Sequence, residues 1–132
     1  KNVRTVDFDE VIEEAARTMA TEKIGCLPVM KDGILSGIIT ETDLFNAFIS
    51  MFGATLPGVR AVIEVAEKPG ELARIATAVA AKNGNIVSVV TTDGSDVSKR
   101  IITVKIGNLS KETVEEIIRR ENVKILDIRE KK

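Results

Sequence analysis

The chain contains no histidine, no tryptophan and no tyrosine. Without histidine it lacks the commonest general base and the commonest neutral metal ligand at physiological pH. Its aromatic content is 3%, all of it the four Phe residues, too sparse for the stacking platforms that hold single-stranded nucleic acid. A lone cysteine, Cys26, has no partner for an intrachain disulfide and fits a reducing, cytoplasmic setting. No stretch reaches the ~18 consecutive apolar residues of a membrane-spanning helix. Neither sign of charge prevails: 19 basic and 20 acidic residues leave a net charge of -1. No general positive field is therefore present to wrap phosphates. Ser-His-Asp, CxxC and P-loop patterns are missing too, so the sequence points away from an enzyme.

What remains is a globular composition, with 44% hydrophobic and 30% charged residues in 132 and a mean hydropathy of +0.09. That length holds one ordinary domain or two very small ones. The opening Lys1, in place of methionine, suggests a piece of a longer protein.

Periodicity divides the chain in two. Residues 3–6 read as a short strand. Asp7 and Glu10 have the spacing of a capping box ahead of a helix whose inner face is Ile12, Ala15, Ala16 and Met19. Apolar runs over residues 24–30 and 34–40 flank Asp32-Gly33, a strong hairpin turn. Because the runs are continuous, both strands are expected to be buried on both faces. A second helix is expected over residues 41–51 with Leu44, Phe45 and Phe48 as its apolar stripe. Residues 52–58, with Gly53, Pro57 and Gly58, are the one stretch dense in breakers and mark a joint. Beyond it, strands are expected over residues 59–66, 86–92, 100–106 and 123–128. Helices are expected over 71–82, facing Leu72, Ile75, Ala76 and Val79 inward, and from Ser110 as cap to about Glu121. This βαββαβ order is that of a ferredoxin-like fold, a four-stranded antiparallel sheet with both helices on one face. Arg129 to the end reads as a frayed, charged tail.

The first half resembles a CBS motif, on the residues Val3-Arg4-Thr5-Val6, Glu14-Ala15-Ala16, Ile24-Gly25-Cys26-Leu27-Pro28-Val29, Asp32-Gly33 and Gly37-Ile38-Ile39-Thr40-Glu41-Thr42-Asp43. The second half resembles an ACT domain, on Lys68-Pro69-Gly70-Glu71-Leu72 and Gly84-Asn85-Ile86. Together they resemble the acetoin-utilisation type of CBS-ACT protein, in which such a motif is the second of a pair; here the first is missing. The resemblance implies an α+β chain: a βαββα CBS motif over residues 1–52, a linker over 53–58 and a ferredoxin-like ACT domain over 59–132. A CBS motif packs sheet to sheet on a twin, so two chains are expected to supply the pair between them as a homodimer through CBS and ACT surfaces. Neither nucleic acid nor membrane is expected as a partner.

The spacing Gly37-x-x-Thr40-x-x-Asp43 falls where a strand meets a helix. Free N–H groups at a helix start, with a hydroxyl beside them, suit a phosphate. The same spacing is that of a capping box, which merely starts a helix. The resemblance implies that Thr40 meets phosphate and Asp43 ribose, while Ile24, Gly25, Cys26 and Pro28 flank an adenine and Thr5 contacts base or ribose. The ligand so implied is AMP, ATP or S-adenosylmethionine, held as a regulator; no cofactor or metal is expected. Cys26 reads as a small buried hydrophobe rather than a reactive thiol. In the second half, Gly70 permits close backbone approach and the helix it precedes can receive a carboxylate. The resemblance implies an amino-acid site of Glu67, Pro69 and Gly70 with Asn85 and Ile86 reached across a dimer. Members that bind amino acids commonly carry Asn or Asp where this chain has the longer Glu67. The alternative for both halves is a structural dimerisation module with vestigial sites.

Overall fold

The computed structural model describes residues 4–132, and the chain falls into two compact units that meet between Ser50 and Met51. The first unit holds β1 (Val6–Asp7), α1 (Ile12–Glu22), β2 (Cys26–Lys31), β3 (Ile34–Thr40) and α2 (Glu41–Met51). Part of the strand expected over residues 3–6 lies outside the described residues. Strand β1 runs parallel to β2, and β3 antiparallel to β2, giving the order β1-β2-β3. Asp32 and Gly33 both take positive φ (52° and 79°), as a two-residue hairpin of matching twist requires.

Asp7 and Glu10 do not form a capping box. Pairing with β2 keeps Asp7 extended, the chain turns through the Glu10 N–H to Asp7 O bond, and the helix starts only at Ile12 behind Val11. The core of this unit is small: Ala15, Met19, Leu27 and Leu44 are buried, and Val6, Ala16, Ile24 and Ile39 pack around them. Contrary to the expectation of strands buried on both faces, β3 is exposed along most of its length, Ile34 at 71% and Ile38 at 57%. Helices cover only one face of the sheet, and these side chains lie beyond that cover. Phe45 and Phe48 are likewise exposed, so Leu44 alone of the expected stripe is buried.

The second unit holds β4 (Gly58–Ala66), α3 (Glu71–Ala80), β5 (Asn85–Asp93), β6 (Lys99–Gly107), α4 (Lys111–Arg120) and β7 (Lys124–Lys131). The strand order β5-β6-β4-β7 is antiparallel throughout, the ferredoxin-like arrangement. Alternation along β4 sends Val59, Ala61, Ile63 and Val65 into the core. There they meet Ile102, Val104 and Ile106 of β6, Ile75 and Val79 of α3, and Val114, Ile117 and Ile118 of α4. Ser110 caps α4 as its sequence position suggests, its hydroxyl accepting from the Thr113 N–H at 3.1 Å. The terminal segment is not frayed: β7 runs to Lys131, pairing Arg129 with Arg60 and Lys131 with Gly58.

Residues 51–53, at the start of the breaker-rich stretch, lie on the second unit's sheet. The Met51 carbonyl accepts from Ser88 Oγ, and the Gly53 carbonyl accepts from Lys105 Nζ at 2.7 Å. Lys105 is only 6% exposed, and burial pulls its pKa below the ordinary lysine value. Gly53 takes φ +61°, and a Cβ there would fall in contact with Lys105 and Ser88. The turn residue is thus pressed against the side chain that holds it.

Arg74 ties the two helices of this unit together. It bonds Glu71 Oε1 at 2.8 Å, Glu121 Oε1 at 3.0 Å and the Glu121 carbonyl at 2.6 Å. The Arg74 hydrogen bond holds the Glu71 carboxyl below its usual pKa, against the opposing effect of its burial. Since the folded pKa lies below the unfolded one, the stability this group contributes is full above the ordinary carboxylate range. It is lost as pH falls through that range towards the folded value. Urea midpoints followed from pH 6 down to pH 3 are expected to drop more for the parent chain than for Glu71→Gln; parallel curves would contradict the clamp.

Candidate functional site

The antiparallel register sets Cys26 opposite Thr40 and Pro28 opposite Ile38. Since Leu27 and Ile39 point into the core beneath the helices, alternation turns Cys26, Pro28, Ile38 and Thr40 to the helix-free face. Four of the residues expected to hold a nucleotide, namely Cys26, Pro28, Thr40 and Asp43, thus gather where β2 begins, β3 ends and α2 starts. Thr5 directly precedes β1, whose Val6 pairs with Val29, so it extends the sheet nearer Pro28 than Asp43. Cys26 is exposed rather than a buried hydrophobe, because it lies on the side the helices do not cover.

Thr40 and Asp43 bind each other. Asp43 Oδ2 accepts from the Thr40 N–H at 2.8 Å and from the Thr40 hydroxyl at 3.0 Å; Thr40 Oγ1 accepts from the Asp43 N–H at 3.2 Å. The Glu41 N–H donates to the Gly25 carbonyl at 3.1 Å. The expectation of free N–H groups at this helix start therefore needs correction. Those of Thr40, Glu41 and Asp43 are all engaged, because cap and strand end satisfy them before any ligand arrives. Among the described residues Asp43 Oδ1 carries no protein hydrogen bond, so one carboxylate oxygen remains for a hydroxyl donor.

Ile24 and Gly25 also line a groove of about 470 Å3 between α1 and α2, walled by Met19, Leu44, Phe45 and Phe48. Thr40 and Asp43 do not reach it. Glu41, which sequence reasoning passed over, overhangs this groove: a Cβ on Gly25 would sit 2.9 Å from Glu41 Oε1. The i, i+3, i+4, i+7 spacing of Glu41, Leu44, Phe45 and Phe48 was the available signal.

In the second unit, Glu67 and Gly70 line a cavity of about 190 Å3 together with Leu72, Thr91, Arg100 and Ile102. Gly70 takes φ +93°, and nothing stands within 4 Å of the place a Cβ would occupy. The chain thus makes a turn that side chains rarely adopt and leaves the helix entrance open. The Glu67 N–H is held by the Ser98 carbonyl at 2.8 Å. Pro69 completes the turn ahead of Gly70 without lining the cavity. Asn85 and Ile86 lie elsewhere within the unit. Asn85 pairs with Gly107 at one end of β5, whereas Arg100 pairs with Asp93 at the other, roughly 25 Å away at the usual strand rise. Asn85 lines a separate open hollow with Gly58, Asn108 and Ser110, and Ile86 packs on the core. Sequence reasoning missed Arg100 and Thr91; both read there only as strand residues.

These two units, one a βαββα half-sandwich and the other a ferredoxin-like sheet with a glycine-opened helix entrance, define a CBS domain followed by an ACT domain. Residues 1–50 match the CBS domain family. Residues 57–129 match the TTHA0829-like ACT domain family, to which the chain belongs. CBS and ACT domains are typically regulatory, ligand-sensing modules. The chain is similar to the CBS domain-containing protein YhcV of Bacillus subtilis (strain 168), 38% identical over 42 residues, which is 32% of this chain and 30% of that protein. It is also similar to the uncharacterized protein MJ0653 of Methanocaldococcus jannaschii, 50% identical over 40 residues, 30% of this chain and 21% of that protein. The chain therefore spans less than a third of the length of each of these two relatives.

The reciprocal Thr40–Asp43 bonds make a stability prediction independent of any ligand. Thr40→Ala is expected to lower the free energy of unfolding by about 1 kcal/mol, the usual cost of losing a helix cap, as read by urea denaturation. An unchanged midpoint would show that the cap does not form in solution.

Proposed function

We propose that this chain is a non-catalytic regulatory module whose CBS part senses an adenine nucleotide or adenosyl compound. AMP, ATP and S-adenosylmethionine are the candidate ligands. The observation that carries the reading is the clustering of Cys26, Pro28 and Thr40 on the helix-free side of the sheet, with Asp43 at the start of α2 bonded to Thr40 and one of its oxygens unspent. Ribose hydroxyls are the donors suited to that oxygen, and an adenine suits the small residues of β2. The ligand favours one arrangement of the paired subunits and so shifts their population, with no bond made or broken. The ACT part takes an amino acid beside Glu67, Pro69 and Gly70, with Asn85 and Ile86 supplied by a second copy. A cytoplasmic setting and the acetoin-utilisation subtype belong to the same reading. No helix among the described residues is long and apolar enough to cross a membrane.

A second reading, a structural dimerisation module with vestigial sites, is favoured by one observation. Thr40 and Asp43 already satisfy each other, so their presence is explained without a ligand. Calorimetry on the full protein with the three candidate ligands separates the two. The sensor reading expects at least one to bind and Asp43→Ala to weaken it by roughly tenfold, the loss of a hydrogen bond to a charged group. Silence from all three leaves the structural reading.

Both readings need the exposed apolar face of β3 to be covered by a second copy, since water on Leu35 and Ile38 is unfavourable by about 25 cal/mol per Å2. Sedimentation is expected to give a dimer for the parent chain and a shift towards monomer for Ile38→Glu. An unaltered sedimentation profile would place the interface elsewhere.

A further inference from the structure

The net charge of -1 conceals an uneven distribution. Residues 1–50 carry nine acidic and five basic side chains, whereas residues 51–132 carry eleven acidic and fourteen basic ones. In the second unit, strand register gathers cations. Lys105 of β6 pairs with Arg60 of β4, and Arg60 pairs with Arg129 of β7. Alternation with the core residues Val59, Val104 and Ile128 puts all three on the side that the helices do not cover. They form a row across three neighbouring strands, with about 4.8 Å from one strand to the next. Lys131, two residues beyond Arg129 on β7, adds a fourth cation to the same face.

Among the described residues Asp127 is the one side-chain carboxylate at this end of the face. It meets Arg129 at 2.9 Å and Arg60 at 3.8 Å. Glu130 alternates to the other side, and Glu64 stands opposite Lys124 at the far end. Lys105 donates to the Gly53 carbonyl at 2.7 Å and has no carboxylate partner among the described residues. Its burial, and then the charge of Lys131, hold its pKa below the ordinary lysine value. Like charges set directly opposite across strands destabilise a sheet, and a single carboxylate offsets only part of that effect. Arg60, Arg129 and Lys131 are exposed, open to an incoming anion.

We propose that this face docks an acidic, extended segment of a partner protein, its carboxylates set on Arg60, Arg129 and Lys131. Alternate side chains of an extended segment are about 6.8 Å apart, the separation of Arg129 and Lys131 along β7, so successive carboxylates reach both. In the next row Val62, Thr103 and Val90 are half-buried and give the segment an apolar flank. A nucleic acid strand would find no aromatic ring on β4, β5, β6 or β7 to stack on. A second copy of the same face would set cation against cation. The contact does not depend on whether either ligand site is filled, and it gives a regulatory module a place to meet another protein.

Fluorescence anisotropy of labelled decaglutamate titrated with the full chain tests it. The peptide is expected to bind with an affinity that falls as salt rises. The double substitution Arg60→Gln and Arg129→Gln is expected to weaken binding by about tenfold. Arg119→Gln with Arg120→Gln on α4 removes the same charge from side chains that pair with Glu115 and Glu116. That control is expected to change binding by less than about twofold, with both variants melting cooperatively. Equal loss in the two variants, or no binding by the parent chain, overturns the docking face. Tighter binding of pyrophosphate, decathymidylate or phosphatidylserine vesicles than of decaglutamate overturns its occupant. So does a changed sedimentation equilibrium on substituting Arg60 and Arg129, which would seat a second copy there.

Discussion

Both units depend on one constraint: a β-sheet has two faces, and each unit has helices enough to cover only one. In the second unit the strands respect this. Val59, Ala61, Ile63 and Val65 face the helices and are buried while Arg60, Val62 and Glu64 face away, and on that far face Lys105 is buried under Gly53. The first unit breaks the rule, keeping Leu27 and Ile39 inside while Ile34, Leu35 and Ile38 remain exposed. With four buried side chains at its centre, that unit has little apolar area removed from water relative to the chain it must order. The missing cover on its sheet is why a second copy enters every functional reading of this chain.

The candidate sites grow from the same junctions that build the fold. Thr40 ends a strand and caps a helix, and Asp43 returns the cap's bonds. A nucleotide reaching this corner finds the N–H groups of Thr40, Glu41 and Asp43 already bonded, while one carboxylate oxygen of Asp43 and the flanking face remain. The entrance of α3 is different in kind. Gly70, with its left-handed φ, caps without a side chain, so the helix start stays open. The charges beside it, Glu67 and Arg100, form a long ion pair of 3.9 Å. Both corners are thus satisfied from within the chain, the first by a cap and the second by surface ion pairs.

Membership of the TTHA0829-like ACT family and the match to CBS domains place the chain among regulatory modules. In such a protein the segment between domains matters. Ser88 and the buried Lys105 hold the Met51 and Gly53 carbonyls, so residues that read as a loose connection are bonded to the sheet.

The order of elements was legible in the sequence, because the strand and helix periods differ and Asp32-Gly33, Ser110 and residues 83–85 punctuate them with residues suited to turns and caps. The Thr40–Asp43 corner was legible for the same reason: its three-residue spacing is local. What the sequence could not settle was which side of each element meets another. Continuous apolar runs over residues 24–40 look alike whether one face is covered or two, and Phe45 and Phe48 have core spacing without a core to enter. Lys105 is buried only because the chain folds Gly53 over it, and residues 129–131 read as a tail until β4 paired with them. Arg100 and Glu67 are 33 positions apart and meet only because β6 lies beside β4. Local spacing determined the elements and their caps, since those bonds span three or four residues. Burial, charge pairing and the open faces were decided by tertiary structure, since they depend on partners that sequence distance does not reveal.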